Sequence, residues 1–363
     1  MELICPNHTL PARSQRSPHF EEICGFIYVM PDPHSLDYVV RSGLAGGIAG
    51  CAAKTLIAPM DRVKILFQTG NPEFSQWAGR MVGLPRAIRH IWLQEGPFGL
   101  LRGHSATLAR VFPYAAIKFV AYEQFRAFLI PDKSYETHIR RFASGSLAGL
   151  LSVIFTYPLD VIRVQLAYTG SDPAVQHNKH RLIHAARELW NKPSKNFMGK
   201  LKNLYPGFGP TMFGIVPYAG VSFFAHDLGH DIFRSPYLYD IAVDKRKIKV
   251  KSIDTNGNEQ QNIKRPQLKG WAQIIAGGVS GILAQTAAYP LEVIRRRMQV
   301  GGLKKQIEGS LQNNFRETTK SIYKEHGFRG FFVGLSIGFI KVGPMFACSF
   351  YVYERMKYLL DIN

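Results

Sequence analysis

Cysteine is scarce: Cys5, Cys24, Cys51 and Cys348 are the four in 363 residues. They are scattered and without CxxC spacing, so neither a zinc site nor a disulfide framework is indicated, and they read as ordinary thiols. Acidic residues are also in deficit. Against 45 Lys and Arg stand 26 Asp and Glu, a formal charge of +19, which calls for an anionic partner: nucleic acid, anionic lipid or a phosphorylated solute. The first 36 residues carry Arg13 and Arg16 but also Glu21 and Glu22, with no apolar stretch leading to a small-residue cleavage site. Any targeting address is therefore expected to be internal. No phosphate-cradling GxxxxGK[ST] loop occurs, and the scattered His and Ser suggest no catalytic pairing. We expect no enzymatic reaction, no cofactor and no metal.

What is present is apolar length. Hydrophobic residues make up 46% of the chain and aromatics 12%. Three windows, Phe142 to Leu159, Gly207 to Ala225 and Gly270 to Leu291, are free of charge and about long enough to cross a hydrocarbon core of roughly 30 Å. Further candidate spans are interrupted by Lys54, Arg110, Lys118 and Lys341. A charge at that depth costs roughly 2.5 to 3.5 kcal/mol on insertion scales, so these side chains are expected to face a water-filled interior.

A threefold repeat organises the chain. Around Pro59 it reads APMDRVK, around Pro158 YPLDVIR and around Pro290 YPLEVIR: a proline, an acid two residues on and a base three beyond that. Before each proline stand Gly46 and Gly50, Gly145 and Gly149, and Gly277 and Gly281, a small-residue spacing that lets helix backbones approach closely in a bilayer. After it a second pattern recurs as Gly103, Pro113, Glu123; Gly207, Pro217, Asp227; and Gly334, Pro344, Glu354. Each repeat thus predicts a proline-kinked span, a polar connection and a second span, giving six helices in all. Amphipathic stretches at Leu84 to Leu93, His180 to Trp190 and Phe315 to Tyr323 predict short helices on the membrane surface. The expected division is an N-terminal extension over 1–36, repeats over 37–131, 132–236 and 268–363, and a polar, Lys-rich insertion over 237–267 read as a solvated loop. The fold class is all-α membrane protein.

On these residues the chain resembles the mitochondrial carrier family over roughly Tyr38 to the C-terminus. Within it, Gly46 to Thr55, Ala58 to Lys64 and Phe112 to Ile117 look like the coenzyme A carrier branch, which includes the Graves-disease-type carrier. The branch exchanging ATP-Mg for phosphate shares much of this pattern, but its calcium-binding domain is not seen, since no D-x-D-x-D-G loop precedes the first span. Two local departures stand out. Leu66 occupies a position often basic or Gln, and the acid-glycine element, clear as Glu95-Gly96, is degraded around Gly199-Lys200 and His326-Gly327.

Residues that recur in all three repeats are expected to serve scaffold and gates; those that differ are expected to read a solute without threefold symmetry. Asp61, Asp160 and Glu292 with Lys64, Arg163 and Arg295 can pair from one repeat to the next in a ring, which the resemblance implies is the matrix gate. Gln68 and Gln299 match the family's glutamine braces, and Ala167 leaves that position empty in repeat two. At the other end Glu123 with Arg126, Asp227 with His230, and Glu354 with Lys357 resemble a cytoplasmic-side gate, in which His230 departs from the basic pattern. The asymmetric set is Lys54, Arg110, Gly214 with Ile215, and Lys341. The resemblance places Arg110, Gly214-Ile215 and Lys341 at three substrate contact points, with Gly-Ile as the form seen in adenine-nucleotide carriers. Glycine leaves a slot for a flat purine walled by Ile215 and Tyr218, and the cations hold phosphates. The plainer readings are that Arg110 or Lys341 pairs with a scaffold acid and that Gly214 serves packing. Arg296 and Arg297 read either as helpers of departing phosphates or as ligands of lipid headgroups, and His104, Thr107 and Lys118 cannot be separated from helix packing.

The expected function is inner-membrane transport of coenzyme A or a close adenine-nucleotide relative, as an exchanger, by a monomer. Both termini are expected on the intermembrane-space side, with anionic lipid such as cardiolipin as a partner and no nucleic acid. The competing readings are another adenine-nucleotide carrier and a carrier-shaped receptor or scaffold that does not transport.

Overall fold

A computed structural model describes residues 36–80, 82–131, 137–169, 181–191, 196–243, 252–253, 259–260, 268–308 and 314–361. Cys5, Cys24, the N-terminal extension and most of the 237–267 insertion lie outside these residues.

The first repeat opens with α1 (Leu36–Leu56), breaks at Ile57 and continues as α2 (Ala58–Thr69), the two bent by 61°. Pro59 causes the break: it has no amide hydrogen to give the preceding turn, and it sits in the first turn of α2, where its fixed φ is welcome. A surface helix α3 (Gly83–Glu95) and a return span α4 (His104–Leu129) follow. The second repeat comprises α5 (His138–Tyr168), α6 (Arg181–Trp190), α7 (Phe197–Leu204) and α8 (Phe208–Phe233). The third comprises α10 (Gly270–Glu308), α11 (Phe315–His326), α12 (Leu335–Ile340) and α13 (Val342–Leu359). Helices α5 and α10 run through Pro158 and Pro290 without a break.

Four stretches, Ala143–Tyr168, Phe208–Phe233, Gly270–Gly301 and Phe315–Leu359, are long and apolar enough to span, and the bent α1/α2 pair makes a fifth. Helix α4 is the remaining one of six among the described residues. At 26 residues and about 1.5 Å of rise each it has the length, but Arg110, Lys118, Glu123 and Arg126 lower its hydropathy. Packing closes the six into a cycle: α4 lies on α5, α8 on α10, and α13 on α1. The Arg41 guanidinium donates to the Leu360 carbonyl at 3.2 Å and ties the last helix to the first.

Burial is concentrated at the signature end. Ile65, Val164, Ala167, Tyr168, Val300 and Leu303, drawn from all three repeats, form one apolar plug there. Around it each repeat packs its surface helix against its own signature helix: Ile91 against Val63 and Leu66, Leu189 against Val161, and Ile322 against Val293.

Two expectations need correction. The glycines of the GxxxG pairs do not bring helices together: a Cβ on Gly46, Gly50, Gly149, Gly277 or Gly281 would meet nothing within 4 Å, and one on Gly145 would only touch Tyr122 at 4.0 Å. The small residues buried around these positions are instead Ala45, Ala49, Ala148, Ala272 and Ala276. The insertion is not wholly loop. It contains a one-turn helix α9 (Tyr239–Ala242) and paired antiparallel strands β1 (Ser252–Ile253) and β2 (Glu259–Gln260). Its base is clasped by the Val243–Leu268 bridge and by the Lys269 amide donating to the Ala242 carbonyl at 2.7 Å.

The glycines that do demand glycine open the return spans. Gly103, Gly207 and Gly334 cap α4, α8 and α12 with φ of 78°, 74° and 82°, in the left-handed region where other residues lose roughly 1 to 2 kcal/mol. A Cβ on Gly103 would also stand 2.6 Å from the Arg163 carbonyl oxygen, and one on Gly207 2.9 Å from that of Arg295. We expect Gly103→Ala to lower the thermal unfolding midpoint in mild detergent clearly, while Gly50→Ala leaves it unchanged. Equal midpoints for the two variants would show that the return spans do not rest on this close approach.

Candidate functional site

At the convergence of α2, α5 and α10 the signature acids and bases pair between repeats. Arg163 Nη2 donates to Asp61 Oδ2 at 2.7 Å, Arg295 Nη2 to Asp160 Oδ2 at 2.6 Å, and Lys64 Nζ to Glu292 Oε1 at 2.9 Å. Each acid takes the base of the following repeat, and the third takes that of the first, so the ring is complete. Two glutamines brace it from below. Gln68 Nε2 reaches Glu292 at 3.2 Å and the Tyr289 hydroxyl at 2.9 Å; Gln299 Nε2 reaches Asp160 at 3.1 Å and the Tyr157 hydroxyl at 3.3 Å.

The three links are chemically unequal. Asp160, 1% exposed, also accepts from Arg110 Nη1 and Arg296 Nη1, each at 3.0 Å. Asp61 accepts a second cation in Lys341 Nζ at 2.8 Å, and Glu292 has Lys64 alone. Arg110 is further steadied by Thr156 Oγ1 at 3.3 Å and by the Tyr114 ring 5.4 Å away. Lys54 has no carboxylate within salt-bridge distance among the described residues; its Nζ lies 3.7 Å from Met345 Sδ. Seven bases, Lys54, Lys64, Arg110, Arg163, Arg295, Arg296 and Lys341, thus stand against three acids, an excess of four positive charges. Buried charge in such excess is tolerable only where water or an anion can reach it.

The other candidates are placed as follows. A Cβ on Gly214 would meet Leu291 Cβ at 3.7 Å, an ordinary contact, so packing does not require a glycine there. Ile215 and Tyr218 are 45% and 48% exposed. His104 is hydrogen-bonded to Thr55 Oγ1 at 2.9 Å, Thr107 donates to the Gly103 carbonyl, and Lys118 is exposed. Glu123, Asp227 and Glu354 are exposed, and among the described residues none is within salt-bridge distance of Arg126, His230 or Lys357, so the second ring is not assembled. The molecule is closed at the signature end and open at the other.

Arg296 and Arg297 differ from expectation. Arg296 turns into the ring, and Arg297, 2% exposed, pairs with Glu325 at 2.5 Å, so neither faces lipid headgroups. Glu325 also supplies, one residue early, the acid missing at His326-Gly327. Sequence reading overlooked Arg62. It grips Glu95 through two bonds of 2.7 and 2.9 Å, donates to the Gly99 carbonyl, and reaches the Ala167 carbonyl at 3.4 Å. Arg62 thereby repairs the departure at Leu66 and bridges repeats one and two where the glutamine brace is absent. Its signal was an arginine directly after the first signature acid. Tyr157 and Tyr289 were also overlooked, though each precedes a signature proline; their hydroxyls donate to the carbonyls of Pro206 and Val333 at 2.8 and 3.0 Å.

The ring and the threefold order agree with the comparison to known proteins, although only the first of the three signature prolines breaks its helix. The family described as Mitochondrial carrier protein matches three times, over residues 36–133, 134–236 and 266–362, and the chain belongs to that family. Among its relatives is Mitochondrial carrier protein LEU5 of Saccharomyces cerevisiae, 50% identical over 91% of this chain and 93% of that protein. Solute carrier family 25 member 16 of Homo sapiens is 37% identical over 90% of each, and Mitochondrial carrier protein CoAc2 of Zea mays is 35% identical over 90% and 88%. The chain is thus a multi-pass transport protein of the mitochondrial inner membrane.

Removing one partner of a buried pair leaves the other uncompensated, at about 3 to 5 kcal/mol. Asp160→Asn strands three guanidiniums and Glu292→Gln a single ammonium. We expect the first to depress the unfolding midpoint in detergent substantially more than the second. The reverse order would mean that the unequal links do not set the strength of this end.

Proposed function

We propose that the protein carries coenzyme A, or a close adenine-nucleotide precursor or derivative, by alternating access between two salt-bridge gates, as an exchanger. The observation that carries this reading is the excess of four positive charges beside a glycine that packing does not require. A phosphomonoester and a diphosphate bridge give such a solute about four negative charges, and the purine fits the gap at Gly214 against Ile215 and Tyr218. Membership of the coenzyme A branch, carried by the motifs quoted above, supports the same choice.

Binding and opening are then one event. Lys341 and Arg110 are held by Asp61 and Asp160, two of the three gate acids. Phosphates that draw these cations away, with Lys54 already available, remove counter-charge from two links at once, and substrate binding offsets the cost of parting the ring. As the signature end opens, the other end closes through Glu123, Asp227 and Glu354 with Arg126, His230 and Lys357, and the GxxxG glycines then have helices to pack against. In this reading the open end and both termini face the intermembrane space. The protein works as a monomer, and anionic lipid such as cardiolipin covers its basic surface.

In proteoliposomes offered a panel of adenine nucleotides we expect coenzyme A to be taken up best. Arg110→Gln and Lys341→Gln should reduce uptake at least about tenfold, the equivalent of about 1.4 kcal/mol each. Gly214→Phe should abolish it and Gly214→Ala should not. Normal uptake by the first three variants would remove the contact-point assignment, and a carrier-shaped receptor would show binding without uptake.

Charge also dictates exchange. Moving about four negative charges against 150 mV costs on the order of 14 kcal/mol, at roughly 2.3 kcal/mol per charge per 100 mV. The fixed cations return empty and cannot cancel this over a cycle. Uptake at clamped potentials is expected to require nucleotide inside the vesicles; equally fast uptake into empty vesicles would point instead to uniport with compensating ions.

A further inference from the structure

The open end of α8 carries two histidines that neither the ring nor the helix packing uses. His226 and His230 are one turn apart, with ring centroids 4.3 Å from each other and planes inclined by 48°. His226 is exposed; His230 is half-buried, and its Nε2 is buried without a hydrogen-bond partner among the described residues. A buried ring nitrogen left unsatisfied costs about 1 to 3 kcal/mol, so something that binds there is favoured. The surroundings do not supply it. On the same helix Asp227 is exposed and has no salt-bridge partner among the described residues, and Asp231 lies 4.0 Å from Arg234. From α10 the packed surface is apolar, with Ala276 against Gly229 and Trp271 edge-on to Phe233.

We infer that His226 and His230 form a binding site for a divalent transition-metal ion of the zinc, copper or nickel class at the open rim of the cavity. Four-residue spacing puts both imidazoles on one helix face, the arrangement by which helices present histidine pairs to zinc. Two nitrogens bound tetrahedrally at about 2.0 to 2.1 Å lie about 3.3 Å apart, within reach of two tilted rings whose centroids are 4.3 Å apart. Imidazole favours zinc, copper and nickel over magnesium and calcium. No group of three metal-ligating side chains occurs among the described residues, so water completes the shell and the ion exchanges freely. It is therefore an occasional occupant and not a structural metal. Its effect follows from position. His230 stands where the other repeats carry Arg126 and Lys357, and a bound ion takes the nitrogen that would otherwise donate to an acid of the neighbouring repeat. Occupancy slows the closing of this end. That consequence rests on the proposed exchange, whereas the binding itself does not.

The test is a titration of the purified full-length protein in detergent with zinc and, separately, copper, comparing wild type with His226→Gln, His230→Gln and the double variant. The chain has twelve histidines, so the difference between proteins is read and not the total. We expect each single variant to lose one equivalent or to bind it at least about tenfold more weakly, a change of about 1.4 kcal/mol, with magnesium failing to compete. His226→Gln lies outside the ring and guards against loss through misfolding of a His230 variant. In proteoliposomes, zinc added outside should slow uptake by wild type and spare both variants. Identical titrations for wild type and the double variant overturn the site. Loss of the equivalent with zinc inhibition unchanged in the variants overturns its place in the gate. Neither result depends on which nucleotide is carried.

Discussion

Asp160 is the constraint on which the rest depends. A carboxylate 1% exposed beneath a bilayer cannot remain ionised without cations at contact distance, and here three guanidiniums converge on it. They come from α4 and α10, while Asp160 itself is on α5, so one buried charge fixes the relation between two return-and-signature helix pairs. The same need, met with fewer cations, places Asp61 and Glu292. Pro59, Pro158 and Pro290 stand two residues before these acids. The converging helix ends, the close backbone approach at Gly103 and Gly207, and the central apolar plug all follow from bringing the three acids to bases of another repeat.

Threefold order and threefold inequality then do different work. Order gives closure: with each acid reaching to the next repeat, no end is left unpaired. In the proposed exchange, inequality makes that closure responsive. Of the three links, those at Asp61 and Asp160 share an acid with a base from a return span, while Glu292 is held by its ring base and Gln68 alone. An anion that draws on Lys341 and Arg110 weakens the first two links and leaves the third nearly untouched. In the proposed exchange opening is thus uneven, with the repeat-three acid as its last hold.

What could be read from the chain followed the same division. Ring acids and bases were legible because they recur at fixed distance from a proline, and recurrence substitutes for contact. The surface helices were legible from their apolar period. What escaped was compensation. Leu66 looked like a defect, but Arg62 makes the missing bond from one turn earlier in the same helix, which no register of repeats marks. Glu325 similarly replaces His326 from one residue upstream. The GxxxG pairs misled because spacing states what a helix face permits and not whether a partner is beside it; here the glycines meet open space. The short strands of the insertion escaped because two residues carry no period.

The open end shows the converse of the ring. Its acids, Glu123, Asp227 and Glu354, are exposed, so each is solvated and none demands a partner as Asp160 does. The free energy of closing that end is set by exchanging water for a base on each acid, and for exposed pairs this is worth roughly 0 to 1 kcal/mol. In the signature ring, by contrast, Asp61 and Asp160 are buried, and a buried carboxylate cannot give up its base without another counter-charge. In the proposed exchange the protein without solute therefore rests closed at the signature end, where burial makes pairing compulsory. A solute changes this, in the same proposed exchange, by serving as counter-ion to the bases that Asp61 and Asp160 hold.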